Sequence, residues 1–173
     1  MIAIFLDRIF RAIKIDIDLY EEVEKDKSAT VQAGTVVVLS SLAAGVGALQ
    51  LGASNFLVAP VLSLLGWFVW AVVIYFVGVK LFKDPNTNTN HGELLRTIGF
   101  SQAPGLIRVF GITPELMIVT FLGSGLWILA CMVVAVKSAL DYDSLWKSLG
   151  VVVVAYLFQI FFLFMALVLF RVV

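Results

Sequence analysis

Apolar residues in this chain run in long uninterrupted blocks rather than in short alternating stretches. Residues 31–52, 56–79, 116–136 and 148–170 each lack any charged side chain. Each matches the roughly 20 residues that a helix needs to cross the hydrocarbon core of a bilayer. A fifth, weaker block covers residues 94–111, which include Arg96, Pro104 and Arg108. The pattern predicts an all-α polytopic membrane protein: a bundle of five transmembrane helices, the third kinked or broken.

Ahead of these blocks the pattern changes. In MIAIFLDRIFRAIK, Ile2, Phe5, Leu6, Ile9, Phe10 and Ile13 share one helical face, while Asp7, Arg8, Arg11 and Lys14 occupy the other. Such a two-faced helix suits the membrane interface, lying on the surface rather than crossing it. The alternative is a helix docked on the end of the bundle. Seven of the twelve acidic residues then fall between Asp7 and Asp26, which predicts a solvated acidic helix. Ser28 is the expected N-cap of the first span, with Asp26 near its positive end. The chain thus divides into a cytoplasmic N-terminal segment, 1–28, and a transmembrane region, 29–173.

Composition sharpens the class. Hydrophobic residues make up 61% and charged residues 14%, with a mean hydropathy of +1.04, far from the balance of a soluble domain. The formal net charge is zero, so no basic field points to nucleic acid. Charge placement is more telling. Lys and Arg favour the cytoplasmic side. With the N-terminus inside, ten of the twelve basic residues fall inside. That holds whether residues 94–111 cross or dip in and return, so the path of this block stays open. No secretory signal is expected, because the first long apolar run follows a charged stretch. The expected location is a prokaryotic cytoplasmic membrane, N-terminus inside.

The third block concentrates the unusual residues, in GFSQAPGLIRVFG. Pro104 lacks an N–H and clashes with the carbonyl four residues back, so the helix should kink or break near Phe100. The carbonyl freed by the break needs a partner inside lipid, and Ser101 or Gln102 is placed to supply it. Gly99 with Ala103, and Ser101 with Gly105, are small pairs that permit close helix approach. The functional expectation is a polar pocket or broken-helix binding site; the plainer one is a kinked span packed in mid-bundle. Gln159, Trp67, Trp70 and Trp127 also lie near the midpoints of their blocks, where an indole N–H seeks an acceptor. They are candidate cross-bundle partners of Gln102. Ala44, Ala48 and Gly52 form a small face in the first block. Glu93, Arg96, Arg108 and Glu115 are expected to anchor the ends of the third block.

Catalytic and cofactor chemistry find few residues. One His and one Cys, His91 and Cys131, cannot build an ordinary zinc site, a bis-His haem site or a Cys/His nucleophile pair. Gly45-Val46-Gly47 lies inside a block, without the strand–helix context of a nucleotide fingerprint. No cofactor, metal or catalytic residue is expected. Asn90 and Glu93 are spaced as a capping pair.

LYEEVEKDKSATVQA, LLRTIGFSQAPGLIRVFGI and WILACMVVAVKSALDYDSLWKSLGVVVV together resemble the prokaryotic branch of the Yip (Ypt/Rab-interacting protein) family, centred on the GFxxAP element at Gly99, Phe100, Ser101, Gln102, Ala103 and Pro104. The resemblance implies five spans, a cytoplasmic N-terminus, and association with membrane lipids and with other membrane proteins or itself. Eukaryotic members bind prenylated Rab GTPases and carry an N-terminal DLYGP element; here Asp18-Leu19-Tyr20 is followed by Glu21-Glu22. The leading expectation is a non-enzymatic membrane organiser or partner-binding protein. The alternatives are a small transporter or lipid-handling protein using the broken third span, and an accessory subunit of a larger membrane complex.

Overall fold

The computed structural model describes residues 2–51, 58–82, 84–85, 87 and 89–169. Among these every regular element is helical: α1 (Ile2–Ile13), α2 (Ile17–Lys25), α3 (Ala29–Gly47), α4 (Val58–Phe76), α5 (His91–Phe100), α6 (Pro114–Ala139) and α7 (Leu145–Leu169). A short 3-10 turn, Leu49–Leu51, follows α3, and a π turn, Val77–Leu81, extends α4. Three helical stretches, Ala29–Gly47, Ala59–Leu81 and Pro114–Ala139, are long and apolar enough to cross a membrane; the described apolar part of α7, Leu145–Phe161, is shorter. The third block is not one helix. It is α5, a turn at Ser101 and Gln102, and a 3-10 segment, Ala103–Phe110.

Local chemistry accounts for the boundaries. α5 begins in a capping box: Asn90 accepts from the Glu93 N–H at 3.1 Å, and the Glu93 carboxylate accepts from the Asn90 N–H at 2.9 Å. It ends at Phe100, four residues before Pro104, where the proline ring excludes a continued α-turn. The Ile98 carbonyl, released by the break, accepts from Ser101 Oγ at 2.7 Å. α1 and α6 both end in Schellman turns. Asp16 N–H bonds the Arg11 carbonyl and Tyr142 N–H the Lys137 carbonyl, with Ile15 and Asp141 left-handed at φ 60 and 53. The start of α3 differs from expectation. Ser28 makes no side-chain cap; instead Asp26 Oδ1 accepts from Ser28 N–H at 2.9 Å and from Ser28 Oγ at 2.6 Å.

The broken block occupies the middle of the bundle. Leu94, Arg96, Thr97, Ile98, Gly99 and Phe100 are all buried, as are Ser101, Ala103, Pro104 and Gly105. It keeps pace with α3. A Cβ on Gly99 would come within 2.7 Å of the Ala33 Cβ. One on Gly105 would overlap Ser40 Oγ, and one on Gly47 would overlap the Arg108 carbonyl oxygen. It runs counter to α6, with Gly111 beside Met117 and Thr120, Arg108 on Ser124, and Gly105 facing Ile128. The small residues therefore do what their type allows: they let backbones approach where a side chain has no room.

One end of the bundle is polar and tied. Arg8 bonds Glu22, Asp26 and Gln32, and Arg11 bonds Asp16 and Glu22 at 2.8 and 2.6 Å. Lys147 Nζ lies 2.6 Å from Asp84. Tyr142 Oη donates toward the Gly78 and Phe82 carbonyls, at the end of the π turn. The flanks are the opposite. Leu62, Leu65, Phe68, Ile118, Val119, Leu122, Leu157, Ile160 and Phe161 all point outward and are exposed. An apolar flank of this extent is what a bilayer covers.

Candidate functional site

Beside the break in the third block lies a cavity of about 600 Å³. α3 supplies one wall with Ser40, Ser41, Ala44 and Ala48. α4 supplies another with Ser63, Gly66, Trp67 and Trp70. Gln102 and Arg108 enter from the broken block, and Tyr156 and Gln159 from α7. Four residues singled out for depth alone, Gln102, Gln159, Trp67 and Trp70, thus line a single space. Gly52, the third of the small residues in the first block, lies outside the described residues.

The direct bonds expected of Gln102 are not made. Trp67 Nε1 donates to the Leu95 carbonyl at 2.9 Å, and Trp70 Nε1 to Met132 Sδ at 3.0 Å. Trp127 is farther away, on the outer surface of α6, where its indole donates to the Ile13 carbonyl at 2.9 Å. Each indole found a nearer acceptor on the element packed against it. Gln102 and Gln159 face the cavity, and among the described residues neither side chain bonds another.

Arg108 and Arg96 both turn from the ends of the block toward other parts of the protein. Arg108 turns into the bundle. Its Nε donates to Ser124 Oγ at 2.8 Å, and its guanidinium lies 5.2 Å from the Phe121 ring centre. Ser124 is ten residues into α6, roughly 15 Å along the axis from Pro114 at 1.5 Å per residue. No carboxylate pairs with Arg108 among the described residues. The sequence missed this cavity cation; its only sign was a lone Arg closing an apolar block.

Arg96 is buried and turned toward α2. Its Nε donates to the Val23 carbonyl at 2.9 Å and the Glu24 carbonyl at 3.0 Å, and Nη2 also reaches Glu24. These carbonyls belong to the last turn of α2, where acceptors lack helical partners and the dipole is negative.

The N-terminal helices are docked rather than free. Ile9 and Ala12 are buried against the bundle, Phe5 and Ile13 are partly buried in the same cluster, and Arg8 is buried with them. Of the six apolar residues expected at the membrane surface, only Ile2, Leu6 and Phe10 stay exposed, at 77%, 48% and 62%. Packing against Ala33, Phe100 and Ala103 takes the other edge of the helix. Leu19 and Tyr20 of the Asp-Leu-Tyr element are fully buried. Asp18, the first residue of the element, is exposed. Cys131 is buried as well, with Sγ 3.5 Å from the Ala12 carbonyl.

At the polar end a second cleft gathers Glu21, Glu24, Asp141 and Asp143 with Lys25 and Lys137. Burial first, then the charges of Asp141 and Glu93, pushes the Glu24 carboxyl up to about 7. Asp26 moves the other way: hydrogen bonds from Ser28 and Arg8 hold it at about 2.

Set against known proteins, the chain matches a family model described as the Yip1 domain over residues 20–167. No curated protein and no solved structure matches it.

Proposed function

The chain belongs to the Yip1-domain family, and from that premise we propose that it is a non-enzymatic organiser of the membrane in which it sits. Its partners are membrane lipids and other membrane proteins or further copies of itself. It resides in the cytoplasmic membrane of a prokaryote, with residues 1–28 on the cytoplasmic side and 29–173 forming the transmembrane domain.

The observation that carries this reading is the N-terminal unit. Arg8, Arg11 and Arg96 clamp α1 and α2 to the bundle. Ile2, Leu6 and Phe10, four residues apart, form an outward apolar stripe on α1, with exposed Lys14 in the turn that follows. A fixed amphipathic helix of this kind seats in the headgroup region of a leaflet. The apolar flanks of α4, α6 and α7 leave a broad surface for lipid or for a neighbouring span.

Five crossings are part of the proposal. At 1.5 Å per residue the part of α5 within the block, Leu94–Phe100, rises roughly 10 Å, and at 2.0 Å the eight residues of the 3-10 segment add roughly 16 Å. The sum is close to the roughly 30 Å hydrocarbon thickness. The steeper 3-10 rise thus restores the length lost at the break. Its parallel course with α3 and antiparallel course with α6 support a crossing over a return.

The full-length protein extracted into native lipid discs tests the function. A stable assembly with a second membrane protein, or with itself, is expected. A monomer that carries a protein-dependent solute flux in sealed vesicles would replace this reading with transport. A second reading, lipid handling at the broken third segment, is favoured by the cavity beside Gln102.

A further inference from the structure

We propose that the cavity between α3, α4 and α7 is a binding site for one anionic lipid, its headgroup held by Arg108. The inference deepens the lipid-handling reading and rests on it, while the assembly test above leaves it untouched.

Three observations converge. The first is charge. Arg108 is half-buried inside the bundle, oriented by Ser124 and Phe121, with no carboxylate partner among the described residues. A cation inside a lipid-embedded bundle is costly unless it is paired, and its terminal guanidinium nitrogens are donors suited to a phosphate or carboxylate. The second is the lining. Ser40, Ser41, Ser63, Gln102 and Gln159 bring hydroxyl and amide groups to the same space, and the two amides bond no other side chain among the described residues. These groups match the remaining oxygens of a headgroup. The third is access. Gly66, Tyr156 and Gln159 are exposed on the α4 and α7 side of the cavity. The cavity is therefore reached sideways, from the region that acyl chains fill. A lipid can enter there with its chains left between α4 and α7.

Tryptophan fluorescence reads this site directly, because Trp67 and Trp70 line it. Trp127→Phe and Trp146→Phe remove the other two indoles. The full-length protein in phosphatidylcholine vesicles is titrated with phosphatidylglycerol brominated on its acyl chains, and separately with brominated phosphatidylcholine. Saturable quenching at low mole fraction is expected with the anionic lipid only. Arg108→Gln should raise the half-saturating fraction roughly tenfold or more, because it removes a charge-assisted contact, and Arg108→Lys should recover part of the loss. Should Arg108→Gln fail to fold, Gly66→Leu decides the matter. It leaves Arg108 intact, and a Cβ at Gly66 meets nothing within 4 Å, so the leucine fills the mouth and should abolish saturable quenching. Equal quenching by both lipids, unchanged by Gly66→Leu, would overturn the site. Relief of quenching by excess inorganic phosphate would overturn the lipid assignment, because an aqueous anion would then compete.

Discussion

Arg96 donates from Nε to the carbonyl oxygen of Val23 at 2.9 Å, across 73 residues of sequence. The contact joins the helix at the centre of the bundle to the last turn of the helix outside it. Three donor contacts to two carbonyls make it the main tie between α5 and α2.

Arg96→Gln should therefore loosen the N-terminal unit. Hydrogen bonds to charged groups contribute about 1.5–3 kcal/mol each, so a loss of about 3 kcal/mol is expected. Trypsin should cut faster at Lys14 and Lys25, with a lowered melting temperature. Unchanged cleavage at both lysines would show that the tie is not what holds α2.

Glu24 gives a pH dependence with a definite sign. Its carboxyl is raised from 4.5 to about 7, by burial first and then by Asp141 and Glu93. The folded protein therefore keeps this proton to higher pH than the unfolded chain does. The stability it contributes is complete below pH 4.5 and is lost as pH rises through about 7. Glu24→Gln should melt higher than the parent at pH 8 and match it at pH 4.5. A variant equal to the parent at both values would contradict this.

Gly105 and Pro104 separate two effects. A Cβ at Gly105 would overlap Ser40 Oγ, so Gly105→Val should cost about 3 kcal/mol or more through overpacking. Pro104→Ala should cost less, because Gly99 and Gly105 still hold the path against α3. Equal losses in thermal melts would mean that the proline, not the close approach, fixes the path.

The crossing of the third block is checked at Ile112, which is 66% exposed. Ile112→Cys avoids the Thr113 cap, and the single native Cys131 is buried. An impermeant thiol reagent should label it from outside intact cells. Labelling only after permeabilisation would mean that residues 94–111 enter and return.

The exposed stripe of α1 is checked by a polarity-sensitive dye at Leu6→Cys. In vesicles its emission should be blue-shifted and quenched by lipid-borne quenchers rather than by aqueous iodide. Phe10→Glu should reverse both.

Much was legible in the sequence because it depends on neighbours along the chain. Uncharged blocks give the three long apolar helices Ala29–Gly47, Ala59–Leu81 and Pro114–Ala139, the Asn90–Glu93 spacing gives a capping box, and Pro104 places the break at Phe100 whatever surrounds it. Those terms are local and act through the backbone. The period of α1 gave its two faces, but not that Ile9 and Ala12 would turn to the bundle while Ile2, Leu6 and Phe10 stayed outside. Depth placed Gln102, Gln159, Trp67 and Trp70 at comparable levels. Depth carries no information on facing, so the indole acceptors, Leu95 and Met132, were out of reach. The tertiary structure alone decided the fate of the two arginines. Read along the chain, both mark the ends of an apolar block. Folded, Arg96 meets the carbonyls at the end of α2, and Arg108 turns into a cavity built by helices distant in sequence. A charged side chain goes where its nearest unsatisfied partner lies, and that partner is set by packing between segments distant in sequence.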